Sequence, residues 1–284
     1  MDSKNHFGGS WTESKISILE TYAQQYLTVF KNQPNQKLFY FDGFAGSGDI
    51  EVDGDDEENK NIIEGAAIRI LKIDKPRGFD MYYFVERKKS LATSLESKIK
   101  NYFPNKKDCY VQAKDCNQKL KDRAKFIRSD KGKMYKVLGF IDPKGMQLEW
   151  ASLEVLRGLP IDLWILNPTS GTNRLLVRKG EMDESWLRRL ELFLGMNRDD
   201  IKDHFYSKRQ NLFGDLDIIK ETDPINRLHE LDASRIAGNI FKYVSNPKVL
   251  KNNSGSPLFH FFMATNSEIA LRIANSVVNP KLGF

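Results

Sequence analysis

The residues best equipped for chemistry in this chain stand where apolar runs stop. The aromatic run Lys37-Leu38-Phe39-Tyr40-Phe41 ends in Asp42-Gly43-Phe44-Ala45-Gly46-Ser47-Gly48. Three glycines in one short turn let the backbone approach a ligand without a Cβ in the way. Their order is G-x-x-G-x-G, not the G-x-G-x-x-G of dinucleotide sites. Asp42, just before the turn, is placed either to hold a ligand's ammonium group or to order the loop. A second run, Met81-Tyr82-Tyr83-Phe84-Val85, ends in Glu86, where a carboxylate can accept both ribose hydroxyls of a nucleoside. A third, Lys136 to Ile141, ends in Asp142-Pro143-Lys144-Gly145. Asp142 could orient or deprotonate a nucleophile, and Lys144 could hold a phosphate or a carboxylate. A fourth, Ile161 to Leu166, ends in Asn167-Pro168-Thr169-Ser170-Gly171, with Arg174 a candidate anion contact. Asp115 and Cys116 follow the weaker run Cys109 to Ala113. Asp115 suits either the N-cap of the next helix or a ligand contact.

These positions need a scaffold that gathers strand ends. Between the apolar runs, helical spacing predicts helices over Ile62–Ile73, Ser90–Tyr102, Asn117–Arg128 and Leu148–Leu156. Alternation of strand and helix builds a parallel sheet covered on both faces. In such sheets ligands bind at the carboxyl ends of the strands, where the residues above lie. An amphipathic helix with Thr12 as its N-cap is expected over Trp11–Phe30. The acidic segment 51–61 reads as a solvated loop. A strand over Pro257–Ala264 and a helix over Asn266–Val277 complete the core. The expected division is a Rossmann-like core of residues 1–174 and 242–284, with a charged helical lobe of residues 175–241 for substrate or partner.

Composition sets outer bounds. The 284 residues are 40% hydrophobic and 29% charged, enough for a full core without staples. A net charge of +6 permits a polyanionic partner without requiring one. Two cysteines exclude a disulfide framework and a cysteine zinc site. His204, His229 and His260 lie far apart in sequence, so no metal set is expected. No segment is apolar and long enough to span a membrane, and the opening MDSKNHFGGS lacks a signal-peptide run. The chain therefore reads as cytosolic.

Several of these motifs together resemble one family. Phe7-Gly8-Gly9-Ser10-Trp11-Thr12 with Lys15, the Asp42–Gly48 turn, Asp142-Pro143, Pro168-Thr169-Ser170-Gly171 with Arg174, and Ala264-Thr265-Asn266 are similar to the three-Cys-motif partner family. The resemblance covers nearly the whole chain. It implies a class I methyltransferase-like fold with S-adenosyl-L-methionine as cofactor, the glycine turn packing under its methionine part. Asp115 and Cys116 then fall where a methyltransferase contacts adenine. It also implies a partner protein carrying a three-cysteine motif, suggestive of radical chemistry, in a bacterial or phage-linked system. Amino-methyltransferases carry a second proline and an aromatic residue after Asp-Pro. Lys144 and Gly145 stand there instead. The expectation is a methyltransferase acting on nucleic acid or a nucleotide. Two alternatives remain: a non-catalytic subunit presenting substrate to the three-Cys protein, and a nucleotide-processing enzyme on the same fold.

Overall fold

A computed structural model describes residues 10–53, 60–178, 180–210 and 216–280. Phe7, Gly8 and Gly9 lie outside the described residues. In chain order the first half comprises α1 (Ser10–Val29), β1 (Lys37–Asp42), β2 (Asp49–Asp53), β3 (Lys60–Glu64), α2 (Ala66–Leu71), β4 (Met81–Val85), α3 (Lys89–Tyr102), β5 (Cys109–Gln112), α4 (Cys116–Arg128) and β6 (Tyr135–Ile141). Then come α5 (Trp150–Glu154), β7 (Ile161–Asn167), α6 (Thr169–Leu175), α7 (Glu184–Leu194), α8 (Arg198–Phe205), β8 (Tyr206–Gln210) and β9 (Leu216–Lys220). The chain ends with α9 (Pro224–Asn239), β10 (Tyr243–Val244), β11 (Lys248–Lys251), β12 (Pro257–Thr265) and α10 (Glu268–Val278).

The main sheet runs β5-β4-β1-β6-β7-β12, with β10 and β11 following one another along the outer edge of β12. Every pairing from β5 to β7 is parallel, and β12 alone is inserted antiparallel to β7. Strand order reverses between β1 and β6, which makes their carboxyl ends the switch point of the sheet. This is the mixed α/β, Rossmann-like sheet that the alternation predicts, and its type is the one the motif resemblance implies.

The sheet is buried on both faces because its strands are apolar throughout rather than alternating. On β1, Leu38 and Tyr40 pack with Leu19, Ile68 and Leu95 of α1, α2 and α3. Phe39 and Phe41 point the other way, into a layer with Leu120 of α4 and Leu153 of α5. A separate apolar cluster of Leu187, Leu190, Leu194, Ile201, Phe205 and Leu228 joins α7, α8 and α9.

Four local expectations differ from the structure, the first being the acidic segment 51–61, whose two ends belong to the paired strands β2 and β3 rather than to a loop. Ile62 and Ile63 belong to β3, which forms a hairpin with β2, so the helix starts only at Ala66. Two β-branched residues fit a strand, and Gly65 N donates to Gly48 O at 2.7 Å, closing the neck of the hairpin. The segment 175–241 is not only helical: β8 and β9 pair as a hairpin, with Ile218 and Ile219 on its second strand. Thr12 is not a cap. It lies inside α1, 3% exposed.

The resemblance motif Ala264-Thr265-Asn266 serves the fold at the end of the sheet opposite the switch point. Thr265 Oγ1 donates to Asp162 Oδ1 at 2.5 Å and accepts from Ser267 N at 3.0 Å. Tyr22 of α1 donates to the other oxygen of Asp162 at 2.8 Å. Asn266 donates to Leu159 O and accepts from Lys242 N, both at 3.0 Å. Thr265→Val keeps the shape but leaves Ser267 N and Asp162 short of a partner. It should cost ~1–3 kcal/mol in a urea titration, and an unchanged midpoint would refute this role.

Candidate functional site at the sheet switch point

The glycine turn is tied to both neighbouring strands. Gly43 N donates to Phe140 O of β6, and Ala45 N donates to Val85 O of β4, each at 2.9 Å. Asp42 Oδ1 accepts from Phe44 N at 3.0 Å, so of its two suggested roles the structure displays loop ordering. Gly46 adopts φ +63° with open space where a Cβ would stand, whereas Gly48 at φ +88° packs against Ile68 and Leu95. Gly43 is needed for close approach, because a Cβ there would meet Cys116 Sγ at 2.6 Å and Ile141 at 2.7 Å. Lys98 of α3 braces the turn from outside, donating to Ser47 O at 3.1 Å.

Glu86 lies half-buried just past β4. Its carboxylate accepts from Gly46 N at 3.2 Å and from Lys88 N at 2.8 Å, so it reaches across to the glycine turn. Asp42, Glu86 and Asp142 thus gather at the ends of three adjacent strands. Burial, then the charges of Asp142 and Glu86, push the Asp42 carboxyl up to about 8, against the opposing Phe44 N–H and Lys15.

Lys15 holds this group together. Its ammonium donates to Asp142 Oδ2 at 2.5 Å, with the lysine side chain 6% exposed and the aspartate 22%. The same ammonium lies 5.0 Å from the centroid of Trp11, whose ring packs 5.0 Å from Phe259. Sequence reading found Lys15 only as part of a motif, with no role attached. The available signal was a lysine four residues after Trp11, one helical turn away.

Other expected site residues make local contacts of their own. Asp115 is the N-cap of α4, accepting from Gln118 N at 3.2 Å, and is exposed at the end of β5. Cys116 packs against the glycine turn. It is 3% exposed beneath Gly43, and burial pushes its thiol well up. The thiol is a packing group because α4 must pass close under the turn. Pro143 is buried and Lys144 exposed. Ser170 is half-buried in α6, and Arg174 is exposed in that helix's last turn.

Asn167 belongs to a second polar group that also involves the lobe. Its Nδ2 donates to Asp232 Oδ2 of α9 at 2.6 Å. Burial pushes the Asp232 carboxyl up to about 7. One turn earlier on α9, His229 stacks on His260 with centroids 4.5 Å apart, and His260 Nδ1 pairs with Thr169 Oγ1 at 3.0 Å. Burial pushes both imidazoles down to about 4. Nothing local in sequence pointed to Asp232 or this histidine pair, since α9 reaches the sheet only through the tertiary fold.

Among the described residues, no cluster of three or more metal-ligating side chains occurs, and no helix is long and apolar enough to cross a membrane.

No protein-family profile matches the chain, and no curated protein matches it either. Solved structures do. Protein LPL1258 from Legionella pneumophila, of family DUF519, is 15% identical over 93% of this chain and 99% of its own, with a TM-score of 0.45. Trm1 from Pyrococcus horikoshii, solved with S-adenosyl-L-methionine, is 9% identical over 98% of this chain and 60% of its own, with a TM-score of 0.40. The plantazolicin methyltransferase BamL, solved with a triazolic desmethylPZN analog and SAH, is 10% identical over 90% of this chain and 86% of its own, with a TM-score of 0.35. At such identities the likeness concerns fold alone. On its own strand order, the chain has a Rossmann-like α/β fold of the class I methyltransferase type.

Proposed function

We propose that the chain binds S-adenosyl-L-methionine at the switch point and transfers its methyl group to nucleic acid or a nucleotide. The observation that carries this is the meeting of the open glycine turn with Glu86 across the ends of β1 and β4. The residues fit an adenosyl ligand. Glu86 would exchange its bond to Gly46 N for the ribose hydroxyls. The exposed Asp115 edge lies where adenine would sit, and the left-handed Gly46 leaves room beside the turn for the methionyl part. The bound group would supply an electrophilic methyl on a sulfonium.

The chain's own residues would supply alignment, which is most of what methyl transfer requires. Asp142 would orient the acceptor with its partly exposed carboxylate, held in place by the Lys15 ammonium. Ser170 and Arg174 of α6 would contact the acceptor's flanking groups. The motif resemblance adds a three-Cys-motif protein as partner, with the lobe as its docking element or as a substrate clamp.

Calorimetry with S-adenosylhomocysteine tests the cofactor site. Wild-type protein should bind, and Glu86→Ala should weaken binding by ~10–100-fold, the loss expected when charged hydrogen bonds are removed. No binding by wild-type protein at millimolar ligand would end the proposal. Transfer of labelled methyl to nucleic acid should occur with wild type and vanish in Asp142→Ala, while affinity for S-adenosylhomocysteine stays within about threefold.

A second reading has its own support. Lys15 already engages Asp142, and Lys144 and Gly145 stand where an aromatic platform would be. Both features favour a subunit that binds the cofactor and presents substrate to the three-Cys protein. It predicts transfer only when both proteins are mixed.

A further inference from the structure

We infer that the cleft between the Asp142-Pro143 turn, Asn167 and helix α9 is the seat of the acceptor's amino group, so that the chain selects planar amino-bearing rings over their oxo counterparts. This rests on the methyltransferase reading above and adds the substrate class to it.

Two polar side chains, Asn167 and Asp232, line a small cavity walled by Pro143, Trp150, Ile165, Phe193 and Phe262. Asn167 is 3% exposed and Asp232 is 5% exposed. Asn167 Nδ2 is spent on Asp232 Oδ2, and Asn167 Oδ1 is buried without a hydrogen-bond partner among the described residues. A buried carbonyl oxygen left unsatisfied costs about 1–3 kcal/mol and calls for a donor. With Asp232 ionised, what the two side chains can still offer is acceptor capacity, from the amide oxygen and the carboxylate. The cationic neighbour, Arg235, is committed elsewhere: it lies 4.0 Å over the Trp150 ring and donates to Gly195 O at 3.1 Å.

Size narrows the ligand. The cavity holds a single water-sized group, which an amino nitrogen matches and a whole ring does not. The ring would rest at the mouth, beside Pro143 and close to Asp142. Once the Asp232 carboxyl is ionised, above about pH 8, an oxo group there would set a lone pair against acceptors and leave the same oxygen unsatisfied, which a polar site rejects strongly. Burial already pushes the Asp232 carboxyl up to about 7, and an N–H donor arriving at the pair would favour its ionised form.

Saturation-transfer NMR on the full chain tests this, with S-adenosylhomocysteine saturating so that nucleosides cannot occupy the adenosyl site. The probes are two pairs, cytidine with uridine and adenosine with inosine. The amino member of at least one pair should bind about tenfold tighter than its oxo member, one hydrogen bond's worth. Asp232→Asn lets the new amide donate to Asn167 Oδ1, and should bring that ratio to within about twofold. Asn167→Ala should do the same, and either variant suffices if the other fails to fold. Equal binding within both pairs, no binding of any nucleoside, or an undiminished ratio in a folded variant would overturn the inference. Calorimetric binding of S-adenosylhomocysteine in the same samples reports on the cofactor reading separately, so the two can fail independently.

Discussion

Asp42→Asn should stabilise the fold at pH 8 by ~2–4 kcal/mol and leave it nearly unchanged at pH 4. The carboxyl is buried at the end of β1, and burial above all pushes it up to about 8. In the unfolded chain it titrates near the ordinary aspartate value, so between those two pH values the folded state binds the extra proton. Stability from a raised carboxyl is present below the unfolded pKa and lost as pH climbs through the folded one. An amide removes the proton requirement while its oxygen still accepts from Phe44 N. Asp232, pushed up to about 7, has the same sign. His229 and His260, pushed down to about 4, have the opposite sign, because the unfolded chain binds their protons first. From about pH 4 to 6.5 the two carboxyls and two imidazoles oppose each other. Above about 6.5 the carboxyls act alone, and wild-type stability should fall by up to ~1.4 kcal/mol per pH unit for each group still titrating. Urea midpoints at pH 4, 6 and 8 measure this. A variant with the wild-type slope between pH 6.5 and 8 would show that Asp42 is ionised in the fold throughout.

Lys15→Met should cost ~1–3 kcal/mol, because it strips a part-buried, hydrogen-bonded ion pair of its cation. The ammonium is the group on α1 that pairs with Asp142, and it also opposes the upward push on the Asp42 carboxyl. Methionine fills similar volume, so the loss would be electrostatic rather than a cavity. The decisive measurement is the double variant Lys15→Met/Asp142→Asn, which should recover at least ~1–2 kcal/mol over Lys15→Met alone. If thermal or urea unfolding shows Lys15→Met within about 1 kcal/mol of wild type, the pair does not anchor α1 to the sheet. Binding of S-adenosylhomocysteine separates site from scaffold. Glu86 and the glycine turn remain, so a folded Lys15→Met protein should still bind it.

Much of the scaffold could be read locally. Apolar runs ending in Asp42, Glu86, Asp142 and Asn167 mark buried parallel strands because a strand covered on both faces has no polar side to display. The glycines at 43, 46 and 48 mark the turn, because a Cβ at Gly43 would strike Cys116 and Gly46 and Gly48 adopt left-handed conformations. Short isoleucine runs were less informative. Ile62 and Ile63, like Ile218 and Ile219, suit a helix or a strand until a partner strand is known. Hairpin pairing decided them.

The sequence by itself determined that an alternating α/β chain would bring a glycine turn and several acidic strand ends to one edge of a sheet, since those signals reside in spacings of a few residues. Only the tertiary structure decided which groups meet there. Lys15 reaches Asp142 across 127 positions, Asn167 reaches Asp232 across 65, and Thr169 reaches His260 across 91. It also turned Cys116 into a packing thiol and sent Thr265 to the far end of the sheet. Such pairings depend on strand order and helix docking, which arise from burying apolar surface over the whole chain and leave no trace in the neighbours of either residue.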